Sequence, residues 1–171
     1  PILDGRADYA KGNRFHQLED VRTMPTLRLL GNAAFSFLAK ISTGNWTIFD
    51  PTNGYLAIDA RVAALLPFAK IERRWFFESD LLYHLYNLRA VVLDVPMQAV
   101  YGREQSGLKP FAVLGPFLLK HLRNFAKRIF YNYYLRDFSI ASIELVLGLL
   151  ALGFGVVFGL SHWVGSGGSG I

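Results

Sequence analysis

A mixed α/β domain, followed by amphipathic helices and one transmembrane helix, is the architecture this sequence predicts. Three observations carry it. Helical periodicity alternates with short turn-bounded, β-branched runs over residues 1–109. All 18 Lys and Arg lie at or before Arg136. The 25 residues from Ile140 to Val164, IASIELVLGLLALGFGVVFGLSHWV, hold a single charge, Glu144.

Composition narrows the class. The chain has 171 residues, 52% apolar and 18% charged, with 14 Phe, 8 Tyr and 3 Trp, too much apolar surface for intrinsic disorder. With no cysteine it has no disulfide framework, no thiol nucleophile and no zinc-thiolate site. The net charge of +5 suits either a nucleic acid or an anionic membrane. Its confinement to the part before the apolar run assigns it to the membrane and not to nucleic acid.

The elements follow in chain order. TLRLLGNAAFSFLAKI, residues 26–41, repeats apolar side chains at Leu27, Leu30, Ala34, Leu38 and Ile41, which predicts an amphipathic helix with that face buried and Pro25 at its start. Trp46, Ile48 and Phe49 read as a short strand, and Asp50, Pro51, Asn53 and Gly54 as a turn before a second extended run. Asp59 is placed to cap the helix ARVAALL. Glu78 to Leu88 is helical by pattern, and Val91 to Val95 is a β-branched strand ending at Pro96, followed by an extended stretch through Tyr101.

Residues 110–137 mix large aromatics with cations and contain no acid before Asp137. Such helices can lie on a membrane, aromatics at headgroup depth and cations against anionic lipid; a buried basic helix pair is the alternative. Residues 138–164 are the expected membrane span. As a helix, the apolar run is about 37 Å long at about 1.5 Å per residue, enough for a hydrocarbon core of about 30 Å. Gly155 and Gly159 form a G-x-x-x-G helix-contact pair, compatible with a homo-oligomer. Lys120, Arg123, Lys127, Arg128 and Arg136 precede the span and GSGGSGI follows it, so the positive-inside rule places the first part in the cytoplasm of a cell (inner) membrane and residues 165–171 in an external loop. A start at Pro1 and an end in a Gly/Ser loop lead us to expect an interior piece of a longer polypeptide.

Several chemistries are absent by motif. The histidines His16, His84, His121 and His162 have no metalloprotease spacing, no serine sits in a G-x-S-x-G elbow, and there is no G-x-x-x-x-G-K-[ST] phosphate loop. No D-x-D occurs.

Four local patterns are present instead: ADYAKGNRF (Ala7 to Phe15), FDPTNGY (Phe49 to Tyr55), FESDLLYHL (Phe77 to Leu85) followed by VVLDVP, and YGREQSGLKP (Tyr101 to Pro110). Their order and spacing, with the span after them, resemble the second half of a family 2 glycosyltransferase of the dolichyl or polyprenyl phosphate sugar synthase kind. Arg103 and Lys109 match that family's R-x-x-G-x-S-K loop, while Ser106 stands where the family has Gly and Leu108 where it has Ser. The resemblance implies the second half of a Rossmann-like GT-A catalytic domain. Its activity would be inverting transfer of a hexose from a nucleotide sugar to a polyprenyl phosphate, with Mg²⁺ or Mn²⁺ held by a D-x-D outside this chain.

Carried over residue by residue, the resemblance implies Asp80 and Glu78 as catalytic carboxylates. It implies Asp50, Asn53, Gly54, Tyr55, Lys11, Arg14, Arg103, Ser106 and Lys109 as substrate contacts, with Lys11, Arg14, Arg103 and Lys109 as loop cations flanking the strand ends. A lipid phosphate is already ionised near neutral pH, so Asp80 would orient more than abstract a proton. Each residue also has a structural reason to be there: D-P-x-N-G forms turns, carboxylates favour a helix start, and surface cations are solvated. A non-catalytic membrane-anchored scaffold or lipid-binding domain is therefore the alternative function.

Overall fold

The computed structural model describes residues 1–15, 26–98 and 110–167. Within them the chain is mixed α/β, mostly helical, with one small sheet. It divides into two compact units, Pro1–Arg128 and Ile129–Ile171.

In the first unit β1 (Tyr9–Asn13) is the centre strand, antiparallel to β2 (Leu56–Ile58) and parallel to β3 (Val92–Pro96). The register sets Lys11 opposite Leu56 and Asp94, and Asn13 opposite Pro96. YAKGN has no strand-like alternation. It is nevertheless central because both its faces are covered, with Tyr9, Ala10, Lys11 and Asn13 all buried. Gly12 is required by close approach, since a Cβ there would run into the Met97 sulfur and come within 2.9 Å of Asn53 Nδ2.

Helices α1 (Thr26–Thr43), α2 (Ala60–Leu65) and α3 (Phe77–Asn87) fall between β1 and β3 in the chain. Asp59 caps α2 as expected, accepting from Arg61 N–H at 2.8 Å. Leu81, Leu82 and Leu85 of α3 join Tyr9, Ile48, Leu66, Ile71 and Val92 in the core. Truncating one of these leucines to Ala costs about 2 to 5 kcal/mol. Gly44 ends α1 at φ +86°, its N–H bonded to Lys40 C=O at 2.9 Å, and a Cβ there would meet the Tyr86 ring at 2.6 Å.

Two expectations are corrected. The run Trp46 to Phe49 is not a strand: Phe49 N–H donates to the Asp94 carboxylate at 2.8 Å, so a side chain replaces the ladder partner. The expected apolar face of α1 is not the buried one. Leu30 and Ala34 are exposed and Leu38 and Ile41 only half-buried, while Ser36, Ala39, Ser42 and Thr43 are buried. Their hydroxyls are satisfied locally, Thr43 donating to Ala39 C=O at 2.7 Å and Ser36 to Phe49 C=O at 2.7 Å, so small side chains pack inward at little cost.

Residues 110–137 form one long helix, α4 (Pro110–Phe130), with a π-helical turn (Tyr131–Arg136), not several helices. Its inward stripe is polar. His121 shares a hydrogen bond with Ser42 (Nδ1 to Oγ, 2.7 Å), Asn124 donates to Asp80 at 2.7 Å, and Arg128 donates to Ile41 C=O at 2.9 Å. Phe117 meets Phe35 and Phe76 edge-on.

The second unit holds the π-helical turn and α5 (Ile140–Gly167). Ser142 donates to Tyr133 C=O, and Tyr134 OH donates to Ser142 C=O at 3.0 Å, which fixes the start of α5 against the preceding turn. Ile140–Trp163 is long and apolar enough to cross a membrane; Ser142 at its start is buried, and its most apolar 18-residue stretch has no buried residue.

Candidate functional site

Polar side chains gather at the carboxyl ends of β1 and β3. Lys11 is not a loop cation: it lies within β1, fully buried, and its Nζ donates to Asn53 C=O at 2.6 Å. Asn53 Nδ2 donates in turn to Gly12 C=O at 2.8 Å, and its Oδ1 accepts from Tyr55 N–H at 3.0 Å. The D-P-T-N-G turn is thus sewn onto β1 by its own asparagine. Gly54 and Tyr55, at its far side, are exposed.

Arg14, one residue past β1, grips Asp50 with both arms of its guanidinium, Nε to Oδ2 at 2.7 Å and Nη2 to Oδ1 at 3.0 Å. Asp50 is fully buried, and Thr52 adds a third bond at 3.3 Å. Asn13 Nδ2 donates to Asp94 Oδ2 at 3.0 Å, and Asn13 Oδ1 accepts from Phe15 N–H. Beside them opens a cleft of about 450 Å³ lined by Asn13, Phe15, Thr47, Phe49, Asp94 and Pro96. Phe15 and Phe49 meet edge-to-face with centroids 5.8 Å apart, and the Lys40 ammonium lies 4.9 Å from the Phe49 ring centroid.

Burial shapes the charges. It lowers the Lys11 ammonium to a pKa of about 8 against the opposing pull of Glu78, Asp50 and Asp94. It raises the Asp94 and Glu78 carboxyls from their ordinary values, and raises the Tyr9 phenol. Asp94 Oδ1 is buried with no hydrogen-bond partner among the described residues.

Of the two carboxylates on α3, Glu78 is half-buried and its charge acts on Lys11 and Tyr9. Asp80 is occupied: one oxygen accepts from Glu72 N–H at 2.8 Å and the other from Asn124 at 2.7 Å. Arg103, Ser106 and Lys109, the extended stretch through Tyr101 and His16 lie outside the described residues. Lys11, Arg14, Asp50 and Asn53 are brought together; Asp80 is turned to α4 instead. Sequence reasoning missed Asn13, Phe15, Phe49 and Asp94 as cleft residues. Asp94 carried the one signal, a carboxylate inside a β-branched strand.

No three His, Asp or Glu converge among the described residues in a way that fits a divalent metal; Asp50 is taken by Arg14, and Asp94 Oδ2 by Asn13 and Phe49 N–H. No protein-family model, curated protein or solved structure matches the chain.

Proposed function

We propose that this chain is the later part of a membrane-bound GT-A glycosyltransferase of family 2, of the dolichyl or polyprenyl phosphate sugar synthase kind. It moves a hexose from a nucleotide sugar to a polyprenyl phosphate at the cytoplasmic face of the cell (inner) membrane. One observation carries the reading. The cleft lies at the carboxyl ends of the parallel strands β1 and β3, where open α/β sheets hold their ligands, and Phe49, the residue before the Asp50–Tyr55 turn, lines it. The four resembling motifs and the apolar helix α5 in the same chain support it.

In this reaction a phosphate oxygen of the lipid attacks the anomeric carbon. The new C–O bond forms as the bond to the nucleotide diphosphate breaks, the electron pair leaves with the diphosphate, and the anomeric configuration inverts. The acceptor phosphate is already ionised, so no proton need be removed. Arg14 and Lys11 build the turn, and Asp80 positions α4 against α3. Asp94 lines the cleft with its Oδ1 unbonded among the described residues and is the carboxylate for a sugar hydroxyl, while Glu78 acts through its charge on Lys11.

The described cluster holds three cations, Lys11, Arg14 and Lys40, against three carboxylates, Asp50, Asp94 and Glu78, so it carries no excess of positive charge. A diphosphate and a phosphate need more positive charge than that, and Arg103, Ser106 and Lys109 are the residues assigned to supply it and its hydrogen bonds. The divalent metal would come from a D-x-D outside the chain, and no step here is routed through it. The test is Arg103→Ala in the full polypeptide. Transfer should fall about 100- to 1000-fold, and Arg103→Lys should not restore it because lysine lacks the two-pronged grip. Unchanged transfer by a normally folded Arg103→Ala protein removes the loop from the site.

A further inference from the structure

Helices α1 and α4 are inverted relative to helices that cover a soluble core. Each turns a polar or small stripe inward, Ser36, Ala39, Ser42 and Thr43 on α1 and His121, Asn124 and Arg128 on α4. Each also exposes a row of large apolar residues, while Phe35 and Phe117 pack between the two helices. Leu30 is 63% and Phe37 57% exposed on α1, while Leu119 is 70% exposed on α4 beside exposed Leu114, Leu118 and Leu122. In water this arrangement is unfavourable, and exposed apolar faces of this kind mark a surface that is covered. The two helices pack on each other through Ser42 and His121, Ile41 and Arg128, and Phe35 and Phe117.

We propose that the first unit docks directly on the lipid leaflet, with Leu30 and Phe37 of α1, as well as the leucines of α4, inserted at acyl-chain depth. The occupant is lipid and not a second copy because the exposed side of α4 keeps an excess of positive charge: Lys120 and Arg123 share the single carboxylate of Glu72, each at 2.8 Å, and Lys127 adds a further cation, while Arg128 is turned inward. A two-fold contact between identical faces would bring these cations together, whereas anionic headgroups neutralise them. Helix α5 in the same chain holds the unit at the bilayer. The inference rests on α5 spanning a membrane and not on the transfer reaction.

The chain has no cysteine, so single labelled cysteines report one site each. The full chain is reconstituted in vesicles of phosphatidylcholine and phosphatidylglycerol with an environment-sensitive fluorophore at Phe37→Cys, Leu30→Cys, Val157→Cys or Arg6→Cys. Emission at Phe37→Cys and Leu30→Cys should shift to the blue and be quenched more by lipid-borne than by aqueous nitroxide, as at Val157→Cys, with the reverse order at Arg6→Cys. Leu30→Cys decides if Phe37→Cys does not fold. Aqueous quenching at both α1 sites with lipid quenching at Val157→Cys overturns the docking and leaves the span intact. Aqueous quenching at Val157→Cys overturns both. Shielding of the α1 sites from both quenchers, with crosslinking between copies, replaces lipid by a second copy and also overturns the proposal.

Discussion

Asn124 of α4 donates a hydrogen bond to the Asp80 carboxylate of α3 across 2.7 Å, and both side chains are buried. This bond fastens the long cationic helix to the sheet-bearing core. It also takes up a carboxylate that the sequence motif offers for catalysis.

Asn124→Ala should therefore act on stability. It leaves a buried carboxylate oxygen without its donor, which costs about 1 to 3 kcal/mol. Thermal unfolding in detergent should show that loss, with Asn124→Asp worse because two carboxylates would then face each other. Unfolding unchanged in Asn124→Ala would mean that α4 is not held through this contact.

Arg14 and Asp50 form the second fastening, one residue past β1. The Asp50 side chain is 1% exposed and Arg14 25%, so removing the guanidinium strands a buried charge. Arg14→Ala should cost about 3 kcal/mol, the low end for breaking a buried pair because Arg14 is partly solvated. The double variant Arg14→Ala, Asp50→Ala should lose less than the sum of the two single changes, which chemical denaturation of all three measures.

Lys11 makes stability depend on pH. Its folded pKa is about 8 against an unfolded value of 10.5. Between those values the unfolded chain binds the proton and the folded one does not, so stability rises with pH through that window. Below pH 8 both states are charged and the full burial cost, roughly 3 kcal/mol, applies. Tyr9 has the opposite sign, since its raised folded pKa takes stability away above the ordinary phenol range near pH 10. Unfolding between pH 8 and 10 should show the rise in the wild type and lose it in Lys11→Met.

Much of this was legible in the sequence. The Asp59 cap, the helix at Glu78, the strand ending at Pro96 and the apolar span each follow from local residue chemistry. What was not legible depends on environment. The periodicity of Leu30, Ala34 and Leu38 marks an apolar face but cannot say whether protein or lipid covers it, and in α1 that face points outward. Lys11 reads as a surface cation in K-G-N-R, and only the pairing of β1 with both β2 and β3 buries it. Phe49 reads as strand, but its N–H is claimed by Asp94, a residue 45 positions away.

The transfer reaction itself is the most direct test. Membranes containing the full polypeptide are incubated with polyprenyl phosphate and radiolabelled nucleotide hexoses, and label is counted in the organic phase. One nucleotide hexose should yield a polyprenyl phosphate hexose whose anomeric configuration is opposite to the donor's. No organic-phase label from any nucleotide hexose, with the protein folded and membrane-inserted, would contradict the glycosyltransferase assignment and leave a membrane-anchored scaffold or lipid-binding domain in its place.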